Sequence, residues 1–446
     1  MRKLFLFLAL ITIMFFSPQA GFCQQGKGGV RGVVKGMLIK NGKIIYTRLP
    51  NIKASLEFTK YSAQTGEDGR FEIPEVPEGS YTLVIEDGKG GKDTKNVDVR
   101  AGKMFNSGST PILLPPDTQT PAIEPGSIVA VFSDKQDSRL YKRDAPMLKK
   151  GDTSTNSMVV YKPDTGKVYL EVVIEEKPLL VLCGKKPGEV YVATDQNNLE
   201  IWDLNKTEKI NSFSLHSIPS HMAWNEDKSK LFISFCNDNF CGIIRVDAEK
   251  HEPDIVIVPP PLGVITCILP TGNGETIYAL MIGKQDGRVV IIRKKDGKYI
   301  VEKNQKAGKD SRTITLLKSK NKILVGNTQG KSIQSFDDRS LKPLFNQPLE
   351  GEPIYSVEGL RDGKAYFTLP DRDVVAVIDG NTGRQIEQIH TGKVPWAIKR
   401  IKSRIIAANA ADRTFTIIDG ILDKVEKTIQ PEDFEVLRDF DIIPEQ

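Results

Sequence analysis

The sequence predicts an all-β chain: a small β-sandwich followed by a seven-bladed β-propeller. Three observations predict it. An alternating apolar segment from about Gly29 to Leu114 is broken by turn residues, a proline-rich stretch follows, and the remainder repeats every 40 to 46 residues. The chain has 446 residues, and 62 basic against 57 acidic side chains leave a net charge of +5. With 27% charged and 39% hydrophobic residues it can bury a sizeable core, which excludes a disordered, collagen-like or multi-span membrane protein. Four histidines (His216, His221, His251 and His390), five cysteines and no CxxCH string argue against multi-haem binding and against a histidine-caged copper or iron centre.

Residues 1–23 read as a signal peptide. Met1 to Lys3 form a cationic head, and Leu4 to Phe16 is an uncharged, mostly apolar run too short to span a bilayer. Cleavage is expected after Ala20 or Cys23. The alternatives are a retained anchor, or a lipoprotein modified at Cys23, for which Phe22 is bulky. No later stretch is apolar enough to cross a membrane, so the mature chain is expected to be exported, secreted or periplasmic, without a transmembrane segment. Export favours disulfides. Cys236 and Cys241 bracket the turn-like Asn237-Asp238-Asn239-Phe240 between two β runs, and a disulfide is expected there; a metal pair and free buried thiols are the other readings. Cys183 and Cys267 lie in apolar runs and read as core.

In residues 29–114 the apolar positions alternate: Val30, Val33-Val34, Ile52, Ala54, Leu56, Phe58, Phe71, Ile73, Tyr81, Leu83, Ile85, Val97 and Val99. The stretch Thr65-Gly66-Glu67-Asp68-Gly69-Arg70-Phe71-Glu72-Ile73-Pro74, continuing through Pro77-Glu78-Gly79-Ser80-Tyr81, resembles the carboxypeptidase regulatory-like domain. That resemblance implies a transthyretin-like sandwich, usually a non-catalytic spacer or docking module. Residues 115–126 are a Pro-rich linker.

Residues 127–446 carry the repeat. Its β runs begin at Val190, Leu231, Ile277, Ile323, Ala365 and Ile405, offsets of 41, 46, 46, 42 and 40 residues. A second run follows, closed in several units by an aspartate (Asp203, Asp247, Asp379 and Asp419). This period with short strands is that of a propeller. A unit beginning at Ile128 brings the count to seven, and Phe434 to Ile443 is expected to complete the first blade and close the ring. Val190-Tyr191-Val192-Ala193-Thr194, Ile405-Ile406-Ala407-Ala408-Asn409 and Lys393-Val394-Pro395-Trp396-Ala397-Ile398 resemble the YVTN repeat family, although no unit carries its string intact. Trp202-Asp203 also resembles the WD40 dipeptide, whose other residues do not recur.

Functional residues are sought on the rim where the loops converge. His216 and His390 fall on that rim, together with the Cys236–Cys241 turn. His221 and Trp396 read as core or channel positions. The first blade alone carries a long insert, Ser133 to Ser157, with charge +2 and apolar contact points. Arg139, Tyr141, Lys142, Arg143, Met147, Leu148, Lys149 and Lys150 in it are candidate partner-binding residues, with basic groups to steer an acidic surface. The inner strands offer few acids or amides (Asn225, Glu226 and Glu358), so neither a metal nor another cofactor is expected. The chain therefore reads as a non-catalytic binding or scaffold protein whose propeller rim docks another exported protein, and not nucleic acid. The alternative is an enzyme, or an accessory subunit, of the propeller oxidoreductase or lactonase-like kind.

Overall fold

The computed structural model describes residues 26–40, 43–88, 92–113, 123–133, 156–162, 164–237, 240–257, 259, 262–283, 286–360, 363–431 and 436–444. Among them the regular structure is all β, apart from a single 3-10 turn at Lys318–Lys320. None of their helices is long and apolar enough to cross a membrane. The chain divides into two compact units, Met1–Val34 with Pro50–Thr110, and Lys35–Leu49 with Pro111–Gln446.

In the first unit, Arg70–Pro77 pairs antiparallel with the start of Lys27–Lys40, and Met104–Leu113 pairs with the same strand. A second sheet has the order Ser62–Gln64, Lys53–Leu56, Gly79–Glu86, Lys92–Val99. Alternation produces the core: Phe71, Ile73 and Val76 are buried along one strand while Glu72, Pro74 and Glu75 are not. Phe58 departs from this pattern. Its strand ends at Leu56, the next four residues turn, and Phe58 sits at φ 57° and 99% exposed.

The second unit contains six consecutive four-stranded antiparallel sheets, spanning residues 178–214, 219–257, 264–306, 311–348, 356–390 and 395–429, each with its strands in chain order. The six β runs of the sequence repeat are their second strands. These strands, such as Glu189–Thr194, are buried on both faces, so they read as continuous apolar runs. Outer strands such as Glu208–Ser214 alternate, because one face meets water. The recurrent aspartates have a local cause. Asp203, Asp247 and Asp419 each accept two backbone N–H groups from the turn after the third strand, at 2.7–3.2 Å, and Asp379 accepts one.

A further sheet joins the two ends of the second unit. The closing strand Val436–Ile442 pairs with Ile128–Ser133, which pairs with Ser157–Tyr161 and then Val168–Val173. The hairpin of Lys35–Lys40 and Lys43–Arg48, taken in sequence with the first folded segment, belongs to this sheet. Ile45 and Thr47 lie opposite Val172 and Leu170, Leu38 and Ile45 are buried, and Lys35 Nζ lies 2.6 Å from Glu171 Oε2. The six first strands contact one another in chain order, except that Ser356–Glu358 is shared with Lys364–Leu369 in meeting Pro395–Ile401. Both Pro178–Cys183 and Pro395–Ile401 contact the closing strand.

Candidate functional site

Where the first strands converge they line an open-mouthed cavity of about 510 Å³. Its wall is mostly apolar, from Leu182, Met222, Ile268, Ile314 and Ile398, with polar groups set among them. The strand Pro395–Ile401 contributes Trp396 and Lys399. Trp396 lies edge-on to Tyr355, with ring centroids 6.1 Å apart. Thr313 and Thr315 bond the Ser356 hydroxyl at 2.7 and 2.5 Å.

Lys399 joins a group of charges formed at the ring closure. Asp441 Oδ1 of the closing strand lies 3.7 Å from its ammonium, and Asp441 Oδ2 accepts the Cys183 N–H at 2.8 Å. Asp439 accepts the N–H groups of Val181 (3.1 Å) and Phe440 (2.9 Å). Burial pushes the Asp439 carboxyl up to about 6, against the pull of Lys399. Burial works against the Lys399 charge too, but Asp441 and Asp439 outweigh it and raise its pKa.

His221 is a wall residue, as its place on an inner strand suggests. Its Nδ1 lies 3.4 Å from the Ile268 N–H and its Nε2 3.4 Å from Cys267 Sγ. Burial, aided by Lys399, lowers its pKa to about 4, so it is neutral at pH 7. Burial also pushes the Cys267 thiol up to about 12 and the Cys183 thiol well above its ordinary value. Both cysteines are buried and free, and both stay protonated. Among the described residues no group of three or more His, Cys, Asp or Glu is arranged to hold a metal ion. The arrangement offers hydrogen-bond donors and aromatic faces in an apolar pocket, which suits binding.

Of the partner-binding candidates, Arg139, Tyr141, Lys142, Arg143, Met147, Leu148, Lys149 and Lys150 lie outside the described residues. His216 is exposed, with its ring 5.6 Å from that of Phe235. His390 is exposed at the end of an outer strand, opposite Val374. Asn225 and Glu226 serve turns: Asn225 accepts the Lys230 N–H at 2.8 Å, and Glu226 accepts the Gly272 N–H at 2.8 Å. Neither these two nor Glu358 lines the cavity. His221 and Trp396, which read as core or channel positions in the sequence, do line it; Lys399 has no such signal, because a lysine one residue from Ile398 in an alternating strand reads as solvent-facing.

Cys236 and Cys241 form a disulfide, with Cα atoms 4.0 Å apart on paired strands. The Ser217 hydroxyl donates to Cys236 O at 2.8 Å, which ties the neighbouring loop to the staple. Because the closed loop is short, replacing both cysteines by serine should lower stability by about 2 kcal/mol at most in the chain-entropy account. Urea denaturation of the C236S/C241S variant checks this, and a loss several times larger would mean that the bond holds more than its own hairpin.

No protein-family model and no curated protein matches the chain. Among solved structures it is similar to Kuenenia stuttgartiensis hydrazine synthase, at 14% sequence identity over 59% of this chain and 89% of that one, with a TM-score of 0.51. At that identity the likeness shows the fold alone, and this chain has a β-propeller-like all-β fold.

Proposed function

We propose that this chain is an exported, non-catalytic binding protein: a regulatory-like β-sandwich module followed by a seven-bladed propeller of the YVTN kind, whose rim docks another envelope or extracellular protein. The observation that carries the reading is an apolar cluster on the rim of the disulfide turn. Ile218 is 54% exposed, Phe240 38% and Val264 52%. They flank a turn stapled by Cys236–Cys241, with Phe240 edge-on to Phe235 at 5.7 Å and the Ile265 N–H on Cys236 Sγ at 3.2 Å. Exposed apolar side chains held rigid in this way lose little entropy on binding, which suits a docking anchor.

Strand order supports the choice of rim. The second-to-third connections of the six regular sheets are short: 195–197, 237–240, 283–286, 328–331, 370–373 and 410–413. The corresponding connection between Ile128–Ser133 and Ser157–Tyr161 takes residues 134–156, and its anchors Phe132 and Ser157 are paired. The basic insert thus leaves and re-enters the fold at the same kind of position as the stapled turn. A disulfide also fits an oxidising compartment.

Photo-crosslinking in the native envelope tests the reading. A crosslinker at Phe240 should give one discrete protein adduct, and one at the outer-strand residue Leu344 none. Ile218→Glu should cut the Phe240 adduct at least tenfold, about 1.4 kcal/mol of binding. Equal labelling from both positions, or a Phe240 adduct indifferent to I218E, would overturn the docking role.

A further inference from the structure

We propose that the cavity between the first strands binds an aromatic monocarboxylate, with its ring against Trp396 and Tyr355 and its carboxylate at Lys399. This does not rest on the rim reading. The cavity, at about 510 Å³, lies within the range of small-molecule sites, roughly 300–1,000 Å³.

Lys399 supplies the charge. Its side chain is 26% accessible, it lines the cavity, and its ion-pair partner Asp441 lies at 3.7 Å, beyond hydrogen-bonding distance. At that distance Asp441 holds it as a long ion pair. Asp441 and Asp439 meanwhile take backbone N–H groups of the neighbouring strand. An ammonium has three N–H donors, so beside this long ion pair Lys399 keeps donor capacity that a ligand carboxylate in the cavity would use.

The remaining wall groups sharpen the ligand class. The Tyr355 hydroxyl and the Trp396 indole N–H have no hydrogen-bond partner among the described residues, so both remain available as donors beside their own aromatic faces. Acceptors on the wall are already used. Ser220 bonds Ser234 and Ile265 O, Ser356 is shared by two threonines, and both His221 ring nitrogens are engaged. With the Trp396 N–H and the Tyr355 O–H free and the His221 ring nitrogens engaged, the wall favours a ligand that accepts hydrogen bonds. Arg312 is bonded to Asp310 at 2.8 Å and Lys399 is ion-paired with Asp441, so the wall holds no two uncompensated cations, which disfavours a dianionic phosphate. The apolar remainder and the edge-to-face ring pair favour a planar hydrocarbon body.

Calorimetry on the purified full chain tests this with 3-phenylpropionate, indole-3-propionate, octanoate and the neutral 3-phenylpropanamide. The two aromatic acids should bind at least tenfold more tightly than either octanoate or the amide. Lys399→Met should abolish the preference of acid over amide. Trp396→Leu should weaken the aromatic acids at least fivefold and leave octanoate unchanged, and it keeps the question answerable if the lysine variant does not fold. Equal affinity for acid and amide in the natural chain, equal affinity for octanoate and the aromatic acids, or no binding of any acid up to about 10 mM would each overturn the proposal.

Discussion

Deleting residues 434–446 is expected to abolish cooperative folding of the second unit. The closing strand Val436–Ile442 is hydrogen-bonded to Ile128–Ser133, and it contacts the first strands of both neighbouring sheets. Leu437, Phe440, Ile442 and Ile443 are all buried, in two core clusters that also contain residues of both neighbouring sheets. At roughly 1.5–3 kcal/mol for each buried apolar side chain, their loss is on the order of 6–12 kcal/mol, comparable to the whole stability of an ordinary domain. Truncation also exposes an unpaired strand edge at Ile128–Ser133 and strips two hydrogen bonds from the Val181 and Cys183 amides. Circular dichroism of the truncated chain should show no cooperative melt, and the protein should aggregate. A melting temperature within a few degrees of the full chain would show that the first strands hold together without this closure.

That dependence explains what could be read from the sequence. The six β runs at offsets of 40 to 46 residues became the second strands of six sheets, because a strand covered on both faces must be apolar at every position. The closing aspartates could be read as punctuation because their carboxylates cap the following turns. The pairing of Cys236 with Cys241 followed from two β runs separated by a four-residue turn. Positions set by distant partners could not be read. Lys399 and Asp441 are far apart in sequence and meet only when the last strand returns to the first sheet. Each looks like a surface charge in its own strand, and periodicity carries no sign of the encounter. Phe58 failed in the opposite way: it continues the apolar alternation of its strand by spacing, but the backbone turns at Glu57 and sends it into solvent. The hairpin at residues 35–49 shows the same limit, since its alternation would suit either unit and its pairing with Val168–Val173 decides.

Lys399→Met should cost about 3 kcal/mol at pH 8 and roughly half that at pH 5. At high pH the substitution leaves Asp439 and Asp441, which repel each other, without the lysine that offsets them, and breaking a buried pair in this way typically costs about 3–5 kcal/mol. The low end applies because 26% of the lysine side chain is accessible. The pH dependence follows from two groups of opposite sign. Asp439, raised to about 6, takes up a proton in the folded state before it does in the unfolded chain, so stability is gained as pH falls from above 6 towards 4. His221, lowered to about 4, behaves in reverse: the unfolded chain protonates first, so stability is lost as pH falls from about 6.5 to 4. In the natural chain these slopes oppose each other. Without Lys399 the Asp439 carboxyl loses the charge that lowers its pKa and titrates higher still, while His221 loses one of the two influences that depress it. Both changes favour the variant at low pH, so its deficit must shrink there. Urea denaturation at the two pH values measures it, and adding Asp439→Asn should shrink the pH 8 deficit and remove most of its pH dependence. A deficit that stays constant or grows on acidification would mean that the two carboxylates do not depend on Lys399, and that the charge cluster at the closure is not what the geometry indicates.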